Sequence, residues 1–175
     1  GTVDEPRYCH LVIYLGDADR TSPNKIVRTS FFVDNSSIEA LYDATAKNPE
    51  FKIAGGELEA QYKEVTNKVH TIDKERRNVF ADYIAAYYGK KDLPRSFELA
   101  KEHTVKQTEM RDVKIHYIKQ HPQSVVSLKL ASELIERNSD LAQEEIVALF
   151  AQLSPQLQNS EMGQSLKEKI DNRKV

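Results

Sequence analysis

Cysteine, histidine and carboxylate side chains are the groups of this sequence that could catalyse a reaction, and Cys9 is its single cysteine. Cys9 stands beside His10 in an apolar stretch from Tyr8 to Leu15 that is typical of a β-strand. A histidine can activate a thiol, but adjacent residues of a strand point to opposite faces. We therefore interpret Cys9 as a small buried apolar side chain. A lone cysteine also lacks the second thiol that disulfide exchange requires.

The histidines do not show the spacing of a metal site. Two ligands on one helical face are typically four residues apart, whereas His116 and His121 are five apart, across a predicted helix end. The carboxylate pairs, such as Glu144 and Glu145, are adjacent and do not face each other as a glycosidase requires. The sequence therefore predicts no catalytic residue, no metal site and no cofactor. An enzyme that uses carboxylates, His116 or His121 is the alternative, provided that these groups meet in the fold.

A glycine pair, Gly55 and Gly56, lies between a predicted strand and a predicted helix, where a phosphate-binding loop could lie. A P-loop needs a later Gly-Lys-Ser/Thr and a dinucleotide loop needs a third glycine, and neither follows. Glycine also permits the positive φ angles of a tight turn. We interpret the pair as a strand-to-helix turn.

Tyrosine is the residue type that indicates binding. The sequence has eight tyrosines, including the doublet Tyr87 and Tyr88, with Tyr83 four residues before Tyr87. A tyrosine ring can be buried while its hydroxyl stays in water, and protein interfaces are enriched in tyrosine for this reason. Tyr83, Tyr87 or Tyr88 are therefore candidate interface residues. A place at the edge of the core is the alternative for the same three residues.

The charges argue against two classes of partner. Lysine and arginine number 25 and aspartate and glutamate 27, for a net charge of -2 in 175 residues. The basic residues are scattered among acidic ones, so we expect no nucleic-acid partner. The longest apolar runs are shorter than the roughly 20 residues of a membrane span, so we predict no membrane-spanning segment. The start at Gly1 without a methionine fits an exported protein expressed without its signal peptide.

The predicted secondary structure that positions these residues changes from strands to helices at Gly56. Alternating and β-branched runs predict strands at 7–15, 26–33, 38–42 and 51–53, with the second and third forming a hairpin. Beyond Gly56 the apolar spacing is that of a helix, which we expect to end at Gly89 in the left-handed conformation.

Further helices are predicted from Leu93 to just before Pro122, and then from 124 to 137, around Ile146 to Leu153, after Ser154 and after Ser160. The second helix is unusually polar from 101 to 112, which indicates contact with solvent or with a partner outside the chain. The fold class is α+β, with a small N-terminal antiparallel β-sheet followed by a C-terminal helical bundle. We expect a β-rich subdomain at 1–56 and a helical subdomain at 57–175 within one structural unit.

Three segments carry a family resemblance: Phe31–Ala40, Phe51–Leu58 and, most specifically, His116–Ile170. They resemble the N-terminal domain of unknown function, with a β-rich part and a helical region, of Bacteroidetes TlpA/AhpC-TSA-like exported thiol-disulfide oxidoreductases. In that family a thioredoxin-like domain with C-x-x-C follows. No position of this chain matches the redox motif, so no catalytic residue is carried over.

The resemblance implies a non-catalytic accessory or interaction module with a periplasmic or cell-envelope location. Its expected partner is the thioredoxin-like domain of the same full-length protein, and dimerisation of the module is a further expectation. A free-standing cell-envelope binding protein for a peptide or small ligand is the alternative. An enclosed pocket with convergent polar groups would favour that alternative, whereas a flat patch would favour the module.

Overall fold

The computed structural model describes residues 3–16, 26–45, 49–137 and 141–173. They form an α+β protein in which strands precede helices, and the predicted fold class is confirmed. The chain divides into two compact units, Gly1–Tyr62 and Lys63–Val175. The boundary between the two units falls inside the first helix, whereas the sequence changes from strand to helix periodicity at 56.

The first unit holds four strands, β1 (Arg7–Tyr14), β2 (Ile26–Val33), β3 (Ile38–Tyr42) and β4 (Phe51–Gly55). Helix α1 (Glu57–Ile84) begins in this unit and continues as a π-helical turn at Ala85–Lys90. The other helices are α2 (Leu93–Gln120), α3 (Val125–Arg137), α4 (Gln143–Ala151), α5 (Pro155–Asn159) and α6 (Glu161–Asn172).

The strands pair as two ribbons, β1 with β2 and β3 with β4, each antiparallel. The predicted hairpin of β2 with β3 is therefore wrong, and the expected single sheet is two two-stranded sheets in the described residues. The turn between β2 and β3 explains the difference. Asp34 accepts hydrogen bonds from the backbone N–H and the hydroxyl of Ser36, which closes a local Asx turn. Such a turn redirects the chain without requiring that its two flanking strands pair.

Phe32 is the centre of the first unit. It is 1% exposed, and its ring lies edge-on to Tyr8 at 5.0 Å and to Tyr62 at 5.3 Å. Glu59, in the first turn of α1, is buried and accepts a hydrogen bond of 3.1 Å from the backbone N–H of Phe32. Packing of Tyr8 and Tyr62 on the buried ring of Phe32, together with the hydrogen bond to its N–H, holds the start of α1 against β2.

The glycine pair forms the predicted strand-to-helix turn. Gly55 and Gly56 have φ angles of +79° and +77°. A Cβ at Gly55 would lie 2.1 Å from the carbonyl oxygen of Ser37. Glycine is therefore required for both conformation and space, and the structural interpretation is confirmed.

Helix α1 does not end as predicted. Gly89 lies within the π-helical turn, and the left-handed residue is Lys91, with φ 54°. The carboxylate of Asp92 accepts a hydrogen bond from the backbone N–H of Arg95 and caps α2. Because that cap fixes the start of α2 at Leu93, the reversal between the helices has to be completed at Lys91.

The main core lies in the second unit, where the C-terminal end of α2 packs with α3, α4 and α6. Ser154 and Ser160 cap α5 and α6 through their hydroxyls, as predicted from sequence. Among the described residues, no helix combines the length and apolar character that crossing a bilayer requires. The largest side chains buried in this core are Ile118, Leu128, Leu130, Leu134, Ile146 and Leu153.

Candidate functional site

An exposed row of rings runs along the end of α1, and we call Phe80, Tyr83, Tyr87 and Tyr88 the aromatic surface. Phe80 stacks on Tyr83 at 6.0 Å, Tyr83 on Tyr87 at 5.8 Å, and Tyr87 meets Tyr88 edge-on at 4.8 Å. Positions 80, 83 and 87 share one face because residues three and four apart are neighbours on a helix. The row is therefore one continuous surface.

Burial differs along the aromatic surface. Tyr83 is half-buried and packs on a small core of Val79, Ala86 and Leu99. Phe80, Tyr87 and Tyr88 are 48%, 40% and 69% exposed. Three large rings thus face solvent while the fourth anchors the row to the helix pair.

The structure brings together the three tyrosines singled out by the sequence, and their role as an interface stays a prediction. Phe80 was missed, although its position three residues before Tyr83 places it on the same helical face. The π-helical turn that carries Tyr87 and Tyr88 was missed as well. Single π-helical turns occur frequently at functional sites.

A polar contact between α1 and α2 adjoins the aromatic surface. Arg76 donates to Nε2 of His103 at 2.8 Å and to Oδ1 of Asp73 at 3.0 and 2.7 Å. Burial and, secondarily, the guanidinium of Arg76 lower the pKa of His103. The hydrogen bonds from Arg76 hold the pKa of the Asp73 carboxyl below its usual range. Because a guanidinium only donates, Nε2 of His103 accepts this hydrogen bond. The ring of His103 lies 5.5 Å from that of Phe80.

The polar middle of α2 was expected to face solvent or an outside partner, and part of it instead faces α1. Lys106 lies 2.8 Å from the carboxylate of Glu75 on α1 and 3.0 Å from that of Glu109. The hydrogen bonds to these carboxylates, above all the one to Glu75, raise the pKa of Lys106. The contact between α1 and α2 is thus polar at Lys106, and two cavities are lined by residues of both helices.

One of these spaces, which we call the basic cavity, has a volume of about 540 Å³ and lies between α1, α2 and α3. Its charged lining consists of Arg76, Arg111, Lys114 and Glu133. Lys114 and Glu133 form an ion pair of 2.8 Å with side chains 13% and 8% exposed. The apolar part of its wall includes Val69, Met110 and Leu134.

A second space, the histidine groove, has a volume of about 620 Å³ and is lined by His116, His121, Tyr117 and Glu64 among others. The rings of Tyr117 and His121 lie 4.4 Å apart. Burial raises the pKa of Tyr117. The hydrogen bond from Lys68, and to a lesser degree the charge of His121, lower the pKa of Glu64. Both histidines that the enzyme alternative needs thus line one groove, and both are exposed.

Cys9 and His10 have different neighbours in the first unit. Cys9 is half-buried in β1 opposite Phe31. The Nδ1 atom of His10 instead contacts the hydroxyl of Ser30 on β2 at 2.5 Å. The ring of His10 also lies 5.8 Å from that of Tyr8. Within the described ranges, no group of three or more His, Cys, Asp or Glu side chains is arranged to hold a metal ion.

Comparison with known proteins found no family model, no curated protein and no solved structure that matches this chain.

Proposed function

We propose that this chain is a non-catalytic interaction module that presents its aromatic surface to a folded protein partner. The partner that the resemblance suggests is the thioredoxin-like domain of the same full-length protein, an exported thiol-disulfide oxidoreductase of the periplasm or cell envelope. The single observation that carries the proposal is the continuous row of rings at Phe80, Tyr83, Tyr87 and Tyr88.

The exposure of this row is what supports binding. An aromatic ring that is left in water loses the stabilisation it would gain on burial, and binding energy in interfaces is concentrated on tyrosine and other large rings. Tyr83 is packed against the helix pair, so the row is held in place before a partner arrives. A preformed surface binds with a smaller entropic cost than one that has to be ordered.

The number of cysteines indicates which domain would carry out disulfide exchange. Disulfide exchange needs an attacking thiolate and a second sulfur, and this chain offers Cys9 alone. In the proposal, the partner domain carries the C-x-x-C pair, and this module contributes shape and apolar area.

Two experiments test the proposal. Sequencing the native gene beyond the codon for Val175 should reveal a frame that encodes C-x-x-C; a stop codon there contradicts the assignment of this partner. The thioredoxin-like domain should then be expressed alone and titrated into ¹⁵N-labelled chain. We expect NMR signals of 80–88 to shift and those of β1 to stay in place.

The matched control is the same domain with both active-site cysteines replaced by serine. Recognition through rings does not use thiols, so the control should cause the same shifts. Absence of shifts at millimolar domain, or shifts confined to Cys9 and its neighbours, would refute the aromatic surface as the binding face.

The second candidate is a free-standing binding protein for a peptide or small ligand. The observation that favours it is the pair of spaces along the α1–α2 seam, of about 540 and 620 Å³. Ligand sites are typically clefts of about 300 to 1,000 Å³ with apolar walls and a few polar groups. A stop codon after Val175 together with saturable binding of a small ligand would favour this candidate over the module.

A further inference from the structure

We infer that the basic cavity binds an organic anion, with its carboxylate or phosphate on Arg111 and an apolar body against Val69, Met110 and Leu134. The inference names a ligand class for the second candidate function and rests on the cavity alone. It does not depend on the aromatic surface.

Arg111 provides the first argument. Its Nε atom is buried and has no hydrogen-bond partner in the part of the chain that the structure describes. Its contact with Oδ1 of Asp112, at 3.7 Å, is longer than a hydrogen bond. Buried donors are nearly always paired in folded proteins, so this guanidinium is under-satisfied. The side chain of Arg111 is 33% exposed and lines the cavity, so the rest of its guanidinium can receive an acceptor there.

The neighbouring charges are already in use. Arg76 is bound by Asp73, with contacts of 2.7 and 3.0 Å. Lys114 is bound by Glu133 at 2.8 Å, and the other carboxylate oxygen of Glu133 lies 3.4 Å from Lys129. Glu133 therefore serves two lysines. Arg111, whose contact with Asp112 at 3.7 Å is the longest of the three, is therefore the lining cation best placed to attract an anion.

The threonine hydroxyls of the cavity wall already donate hydrogen bonds within α2, so we assign head-group binding to Arg111. Thr104 donates to the carbonyl of Ala100 at 3.1 Å, and Thr108 donates to the carbonyl of Thr104 at 3.2 Å. Both hydroxyl protons are thus used within α2. A guanidinium only donates, and its planar fork matches carboxylate and phosphate oxygens.

The size and walls of the cavity indicate an organic ligand. Its volume of about 540 Å³ far exceeds the space of a bare phosphate ion. The side chains of Val69, Met110 and Leu134 offer apolar contact beside the charged groups. Methionine is flexible and polarisable, so Met110 can adapt to alkyl chains of different shape.

The test is an NMR titration of the whole chain that follows the Nε–Hε signal of Arg111 and the methyl signals of Val69, Met110 and Leu134. The probes are octanoate, octyl phosphate, 1-octanol and inorganic phosphate. We expect octanoate or octyl phosphate to shift all of these signals, and the tighter of the two identifies the head group. We expect 1-octanol and inorganic phosphate to bind more weakly by about tenfold or more. 1-Octanol has no anionic head group for Arg111, and inorganic phosphate has no alkyl chain for the apolar wall.

The variant Arg111→Gln should weaken binding of the better probe by about tenfold or more. The matched control is Arg95→Gln on the same helix, because Arg95 is exposed and pairs with Glu98 at 3.0 Å. This variant should bind the probe with the same affinity as the parent. Equal binding of 1-octanol, unchanged affinity in Arg111→Gln, or an unmoved Arg111 signal would each overturn the inference. Should Arg111→Gln fail to fold, the Arg111 signal of the parent decides.

A double variant of the aromatic surface, Tyr87→Ser with Tyr88→Ser, separates this inference from the proposed function. It should bind octanoate or octyl phosphate as the parent does. If the cavity binds the ligand but the aromatic surface binds no partner, the inference is supported and the module is refuted. If the aromatic surface binds the partner but the cavity binds no ligand, the module is supported and the inference is refuted.

Discussion

The ion pair between Lys114 and Glu133 should be far more important for stability than an exposed pair of the same length. The N–O distance is 2.8 Å both in this pair and in the pair Lys68–Glu64. The side chains of Lys114 and Glu133 are 13% and 8% exposed, whereas those of Lys68 and Glu64 are 61% and 70% exposed. Water therefore screens the second pair but not the first.

The magnitude follows from what each substitution leaves behind. The variant Glu133→Leu leaves the ammonium of Lys114 nearly buried beside Arg111, without its carboxylate. Breaking a buried pair in this way costs about 3 to 5 kcal/mol, and we expect about 3 because the adjoining cavity admits water. For a chain of this size the corresponding drop in Tm is about 6 to 12 °C. Lys114→Met should cost less, because Glu133 keeps Lys129 at 3.4 Å.

The double variant Lys114→Met with Glu133→Leu removes both charges and should recover most of the loss, to within about 1 kcal/mol of the parent. The assay is urea unfolding followed by helical circular dichroism, combined as a double-mutant cycle. The exposed control Glu64→Gln should leave Tm unchanged within error. Additive single effects, or a loss in Glu133→Leu no larger than in the control, would refute the reasoning that burial decides the strength of this pair.

Further predictions concern two glycines, a histidine and a glutamate. A Cβ at Gly163 would lie 2.0 Å from the carbonyl oxygen of Leu157, so Gly163→Ala should lower the free energy of unfolding by about 3 kcal/mol. Gly89→Ala, with nothing within 4 Å of its Cβ, should raise it by about 0.5 to 1 kcal/mol in the same urea unfolding assay. Because the pKa of His103 is lowered from 6.5, the unfolded chain takes up this proton first as the pH falls; stability should decrease below about pH 6.5 in the parent and less so in His103→Gln. Glu59→Ala should cost about 1 to 3 kcal/mol by leaving the buried N–H of Phe32 unpaired, and hydrogen exchange of that amide should accelerate; unchanged exchange would contradict the role given to Glu59.

Strand and helix positions were largely predictable because they depend on local periodicity. The strand β2 was placed at 26–33 and occupies Ile26–Val33. The caps Ser154 and Ser160 were also visible, since a serine before a helix acts through neighbouring residues. Pairing of the strands was not predictable in this way. It depends on which ribbon buries Phe32, and that choice involves Tyr62 and Glu59 from a helix later in the chain.

The candidate sites differ in the same way in how far the sequence predicts them. Tyr83 and Tyr87 are four residues apart on one helical face and Tyr88 is the next residue, so the proximity of the three could be inferred from spacing. The basic cavity joins Arg76 of α1, Arg111 of α2 and Glu133 of α3, and no short motif links them. Polar residues in the middle of α2 signalled an unusual environment, but local pattern could not show that α1 supplies their partners.

The measurement that tests the account most directly compares two exposed tyrosines of matched accessibility, Tyr87 at 40% and Tyr14 at 43%. The dissociation constant of the proposed partner, a thioredoxin-like domain expressed separately, should be measured by calorimetry for the parent, Tyr87→Ser and Tyr14→Ser. If the aromatic surface is the binding face, Tyr87→Ser weakens binding by about tenfold or more and Tyr14→Ser leaves it unchanged. Equal affinities for the parent and Tyr87→Ser, or a loss confined to Tyr14→Ser, would contradict the account.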